Sequence, residues 1–141
     1  MAVDFSVKGT IELCPPVPLA QLWELTEGGD FHVAPHGIPE SELTALVERE
    51  AWVLVPDPDS GTDDQGRPKA IKYLRVNDPE AYSFSINRRL VALSAWMGEA
   101  HEFDGELHYQ DGDIGTKGVI EPFEDGTTVV KPPARGARAP G

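Results

Sequence analysis

The chain reads as an α+β protein, a ferredoxin-like split β-α-β sandwich (β-α-β-β-α-β) extended by a C-terminal β-hairpin. Three observations predict it. The chain opens on a strict apolar–polar alternation, a four-three-four apolar stripe marks a long helix near residue 90, and the closing third alternates strand-like runs with turn residues. With 141 residues and 40% hydrophobic content, there is material for one ordinary core without metal or disulfide staples. That core is expected within residues 1–131. Residues 132–141, rich in Pro, Gly, Ala and Arg, hold no apolar side chain larger than alanine and are expected to be a flexible basic tail.

Phe5, Val7, Gly9, Ile11 and Leu13 share one face of the first strand, and Asp4, Ser6, Lys8, Thr10 and Glu12 share the other. The prolines of "CPPVP" are expected to end it, because proline cannot donate to a ladder. "PLAQLWEL" follows as a helix with Pro18 at its start and Leu19, Leu22 and Trp23 on one side. After a Gly- and Pro-rich loop, "ESELTALVERE" groups Leu43, Leu46 and Val47 as a second helical face. "AWVLVP" (51–56) is apolar throughout, as a strand buried on both faces would be, and "AIKYLRV" (70–76) returns beside it.

The strongest helix is "SFSINRRLVALSAWMG", where Ile86, Leu90, Leu93 and Met97 form a single stripe and Gly98 supplies a stop. "HEFDGELHYQ" is again a strand, with Phe103, Gly105, Leu107 and Tyr109 facing one way. "TKGVIEPF" and "TTVVKP" make the closing hairpin around Asp125-Gly126. In this topology the first and fourth strands are neighbours. Gly9 and Gly105 then share the inward face, where they permit close packing against a helix or leave a small pocket.

Charge is the unusual total. Twenty-four acidic residues against twelve Lys and Arg give −12, concentrated in residues 1–56 (nine acids, two bases) and 99–126 (nine acids, one base). Nucleic-acid binding is driven by basic side chains that displace counterions, so an acidic body argues against it. A basic protein partner fits better. The single cysteine, Cys14, cannot form an internal disulfide, and no apolar run approaches the span of a membrane helix. The first residues lack the pattern of a signal peptide, so a cytoplasmic setting is expected.

No motif of known chemistry survives inspection. "HYQDGDIGTKG" (108–118) lies between two strands, opens no helix and lacks a Gly-Lys-Ser/Thr sequence, so it reads as a β-turn rather than a phosphate or calcium loop. "DPDSGTDDQG" gathers Asp57, Asp59, Asp63 and Asp64, but Thr62 and Pro68 stand where an EF-hand needs glycine and glutamate; it reads as a solvated hairpin loop. His32 and His36 are separated by Pro35, and His101 and His108 fall on opposite sides of a regular strand, so no zinc set emerges. Cys14 has no cation beside it to activate a thiolate. Arg88 and Arg89 are expected to pair with the domain's own carboxylates, and Trp23, Trp52 and Trp96 to pack in the core. No catalytic, cofactor or metal residues are therefore expected.

What remains is an acidic strand face. Glu102, Asp104, Glu106 and His108 alternate along one strand, and Asp111 and Asp113 continue the negative charge into the turn. These six are the candidate partner-binding residues.

The opening strand with "PPVPLAQLWEL", the strand pair around 51–76 and the "FDGELHYQDGDIG…VIEPFEDGTTVV" ending together resemble a family of small actinobacterial proteins of unknown function. The likeness runs in order over most of residues 4–131 and rests on turn and packing residues; it departs in the 28–39 loop and the tail. It implies a bacterial or phage setting and carries no activity. The expected function is non-enzymatic protein binding, with the acidic surface engaging a basic partner in the manner of an immunity-type or phage anti-defence inhibitor. The alternatives are an accessory structural component of a larger assembly or virion, which allows a homo-oligomer, and a small-ligand binder or enzyme with a pocket near Gly9 and Gly105, contacted by Arg88 or His101.

Overall fold

The structure, a computed structural model, describes residues 5–81, 83–111, 117–122 and 128–131. It is α+β, with three helices and one mixed sheet. The elements are β1 (Phe5–Pro18), α1 (Leu19–Glu27), β2 (His32–Val33), α2 (Glu40–Glu50), β3 (Trp52–Pro56), β4 (Ala70–Ala81), α3 (Ser83–Met97), β5 (Glu102–Asp111), β6 (Lys117–Pro122) and β7 (Thr128–Lys131).

The sheet order is β2-β3-β4-β1-β5-β6-β7. This differs from the expected arrangement in two respects. A two-residue strand, β2, pairs parallel to β3 at the sheet edge and makes the sheet mixed. In addition, α2 packs on the face opposite α1 and α3. The alternation of β3 explains that split: Trp52 and Leu54 enter the main core with Leu22 of α1 and Leu90 of α3. Val53 points the other way and meets Leu43, Leu46 and Val47 of α2 in a separate cluster. The sheet is therefore covered on one face by two helices and only partly on the other by one.

β1 does not stop at its prolines. It pairs β5 without interruption from Phe5↔Asp111 to Cys14↔Glu102. Against β4 its register shifts between Glu12 and Val17, so Pro15 and Pro16 fall in an irregular stretch where no ladder donor is needed. Pairing then resumes at Val17↔Ile71 and Pro18↔Ala70. The same device lets β4 run beyond residue 76 to Ala81, with Pro79 opposite the register shift between Phe5 and Val7.

The two helices of the main core bury narrow stripes. Ile86, Leu90, Leu93 and Met97 of α3 are at most 1% exposed, and α1 buries Leu19, Leu22 and Leu25. Trp23 and Trp96 lie about 100° around their helices from these stripes and are 39% and 40% exposed. Of the three tryptophans expected in the core, only Trp52 is there. No described helix is long and apolar enough to cross a membrane.

Candidate functional site

The candidate residues sit on the sheet face that carries α2. Strand β5 lies between β1 and β6, and its inward positions Phe103, Gly105, Leu107 and Tyr109 pair with Leu13, Ile11, Gly9 and Val7. The alternate positions, Glu102, Asp104, Glu106 and His108, therefore project from the second face, and all four are exposed. α2 packs against β3 and β4 rather than β5. Four of the six predicted residues are thus brought together in one open row. The side chain of Asp111, at the end of β5, and the whole of Asp113 lie outside the described residues, as does the Asp125-Gly126 turn. β5 and β6 are antiparallel neighbours, as a turn between them requires.

β1 adds residues that sequence spacing did not join to this row. Glu12 stands directly opposite Asp104, and Cys14 opposite Glu102. A carboxylate oxygen of Glu12, one of Asp104 and the Cys14 sulfur all lie within 4.8 Å of one another. Three such atoms are close enough together to share a cation. Burial, then the charge of Glu12 and a hydrogen bond to it, then Asp104 and Glu102, push the Cys14 thiol above its ordinary pKa, so it keeps its proton. The signal for this cluster was the register of β1 against β5, which is long-range information.

The same face changes character at its other end. An open groove of about 390 Å³ lies between α2 and the strands, lined by Lys8, Thr10, Thr44, Arg75, Asn77 and His108, with Gly9 also at its wall. Arg75 donates from Nη1 to Glu40 Oε2 at 2.8 Å, and Thr44 donates to the same oxygen at 2.9 Å, which fixes α2 to β4. His108 Nε2 is 3.4 Å from Glu106 Oε2. Of the two glycines expected beside a pocket, Gly9 lines this groove and Gly105 is not among its lining residues. Arg88 is committed to Asp30 at 2.9 Å, and His101 lines a separate hollow with Cys14 and Glu102.

The other sequence candidates resolve into structural roles. Asp57 is buried and accepts from the Asp59 amide and the Ser60 hydroxyl. Asp63 accepts from the amides of Gln65 and Arg67 and from Arg67 Nε. These two carboxylates hold the β3–β4 loop in shape. Arg89 donates to the Asp30 carbonyl and lies 4.9 Å from the Trp52 ring centre, so both arginines are spent within the domain.

Comparison of the chain with protein-family models, with curated proteins and with solved structures gives no match.

Proposed function

We propose that the protein is a non-enzymatic binding module whose acidic sheet face engages a basic protein partner, as an immunity-type or phage anti-defence inhibitor would. One observation carries the reading. Glu102, Asp104 and Glu106 of β5, joined by Glu12 of β1, form a continuous acidic row on the sheet face where α2 packs against β3 and β4 rather than β5. Such a row steers a cationic surface and fixes its register, and its attraction is weakened by salt. In this reading the inner strands β3-β4-β1-β5, with α1 and α3 on one face, act as a ferredoxin-like split β-α-β unit that holds the row rigid.

The test is affinity capture from a bacterial lysate at low and high salt. The wild-type chain, a Glu102→Lys/Asp104→Lys/Glu106→Lys variant and a chain lacking residues 132–141 are compared. A partner captured by the first and third proteins, released by salt and missed by the charge-reversed variant supports the acidic face. Equal capture by the charge-reversed variant overturns it.

A second reading, an accessory component of a larger assembly, is favoured by the exposed Trp23, Val91 and Trp96 on the helical layer. It predicts self-association that is lost in a Trp23→Ala/Trp96→Ala variant, measured by sedimentation velocity.

A further inference from the structure

We propose that the groove beside α2 is a binding site for a small phosphate-bearing anion, distinct from the acidic row. The chain has twice as many acidic as basic residues, so a surface hollow taken at random should contain carboxylates. Among the described residues that line this groove none is acidic and two are cationic, Lys8 and Arg75, with His108 beside them; the carboxylates of Glu40 and Glu106 stand at its edge, one bonded to Arg75 and the other 3.4 Å from His108. Lys8 is the groove cation that no ion pair among the described residues offsets, so a small anion would be drawn to it first.

The sheet register sets the arrangement. Asn77 of β4, Lys8 of β1 and His108 of β5 are cross-strand neighbours in one row. Adjacent strands lie about 4.8 Å apart, so the three side chains span roughly 10 Å. The next row places Arg75 beside Thr10. Lys8 takes part in no ion pair among the described residues, and its ammonium is available. Arg75 holds Glu40 through Nη1, which leaves further guanidinium N–H groups for another acceptor.

A tetrahedral phosphoryl group suits this set better than a carboxylate does. Lys8, Thr10, Arg75, Asn77 and His108 offer donors from several directions, and three terminal oxygens can use more of them than two coplanar ones. The volume falls in the range of small-molecule sites, and the groove opens to solvent, so the remainder of the ligand would stay partly hydrated. Binding requires no movement of α2, because its Thr44 wall is already tied through Glu40 to Arg75.

The experiment is a titration of the full chain with inorganic phosphate at constant ionic strength and pH, followed by amide ¹H–¹⁵N chemical shifts, with acetate as the comparison anion. The expected result is saturable shifts at Lys8, Thr10, Asn77 and His108, with a dissociation constant on the order of 1 mM or tighter. Lys8→Gln should weaken binding about tenfold, the scale of one charge-assisted hydrogen bond, while Lys8→Arg retains it. Lys69→Gln, just before β4 and not among the residues that line the groove, should leave it unchanged. Linear shifts without saturation, equal shifts with acetate, or equal weakening by Lys8→Gln and Lys69→Gln would overturn the proposal.

Discussion

The Trp52 indole donates a 2.8 Å hydrogen bond from Nε1 to Oδ2 of Asp78. Trp52 is 2% exposed, with Arg89 stacked on its face and Phe31 meeting it edge-on at 6.3 Å. The pair joins β3 to β4 beneath Arg89 of α3. Removing the acceptor in Asp78→Ala leaves a desolvated indole N–H and should cost about 1–3 kcal/mol of stability. Asp78→Asn keeps an acceptor oxygen and should cost less. Urea unfolding midpoints measure both; equal midpoints for the Ala and Asn variants would show that the bond contributes nothing.

Gly9 and Gly105 hold β1 and β5 at a separation that no side chain allows. Their φ angles are 151° and 131°, and a Cβ on either would stand 2.8 Å from a carbonyl oxygen, of Glu106 and Thr10 respectively. The obstacle is backbone at the centre of a sheet and cannot swing aside. Gly105→Ala and Gly9→Ala should each lose at least about 2 kcal/mol, from unfavourable backbone dihedrals and contact together. Gly61→Ala, also at positive φ but with open space around it, should lose less. Thermal unfolding of the three variants gives the order directly.

Those glycines show where sequence reasoning reaches its limit. Their shared inward face was legible from the alternation of each strand, and close approach of a helix to it was the expectation. The neighbour is a facing strand rather than a helix, and that depends on register. Local periodicity was equally good at marking α2 at residues 40–50 and the stripe of α3. It put Trp23 on the wrong side of α1 because a nine-residue helix has few positions from which to fix a face. It ended β1 at its prolines because a register shift against β4, invisible from β1 alone, is what accommodates them. The acidic row could be read from one strand. The addition of Glu12 and Cys14, and the gathering of Lys8, Arg75 and His108 along one groove, needed three strands aligned side by side.

Asp57 should make the fold acid-sensitive. A hydrogen bond from Ser60, followed by the Asp59 amide and the nearby charges of Lys72 and His36, holds its carboxyl below the ordinary value of 3.8 despite the opposing effect of burial. A depressed folded pKa contributes stability above the unfolded value, which is lost as pH falls through the folded one. Ser60→Ala removes the largest of these causes. Between pH 5 and pH 2 the unfolding temperature of the wild type should therefore fall more than that of Ser60→Ala, with the variant already less stable at pH 7. Parallel curves across that range would show that the loop carboxylate is not linked to folding.

Cys14 reports the field of the acidic face. Its thiol lies above its ordinary value of 9.0, first through burial and next through Glu12. Only the thiolate reacts with iodoacetamide, so the midpoint of the rate against pH follows this pKa separately from steric access, which scales the whole curve. Glu12→Gln removes one negative charge beside the sulfur and should move the midpoint downward; Glu102→Gln, whose charge acts more weakly, should move it less. Added salt should lower the wild-type midpoint and have a smaller effect on Glu12→Gln, because the repulsion it screens has been reduced. A midpoint that neither substitution nor salt shifts would mean that solvent already quenches the row's potential at β1. A basic partner approaching from outside would then meet still less of it, and the acidic face could not be what selects that partner.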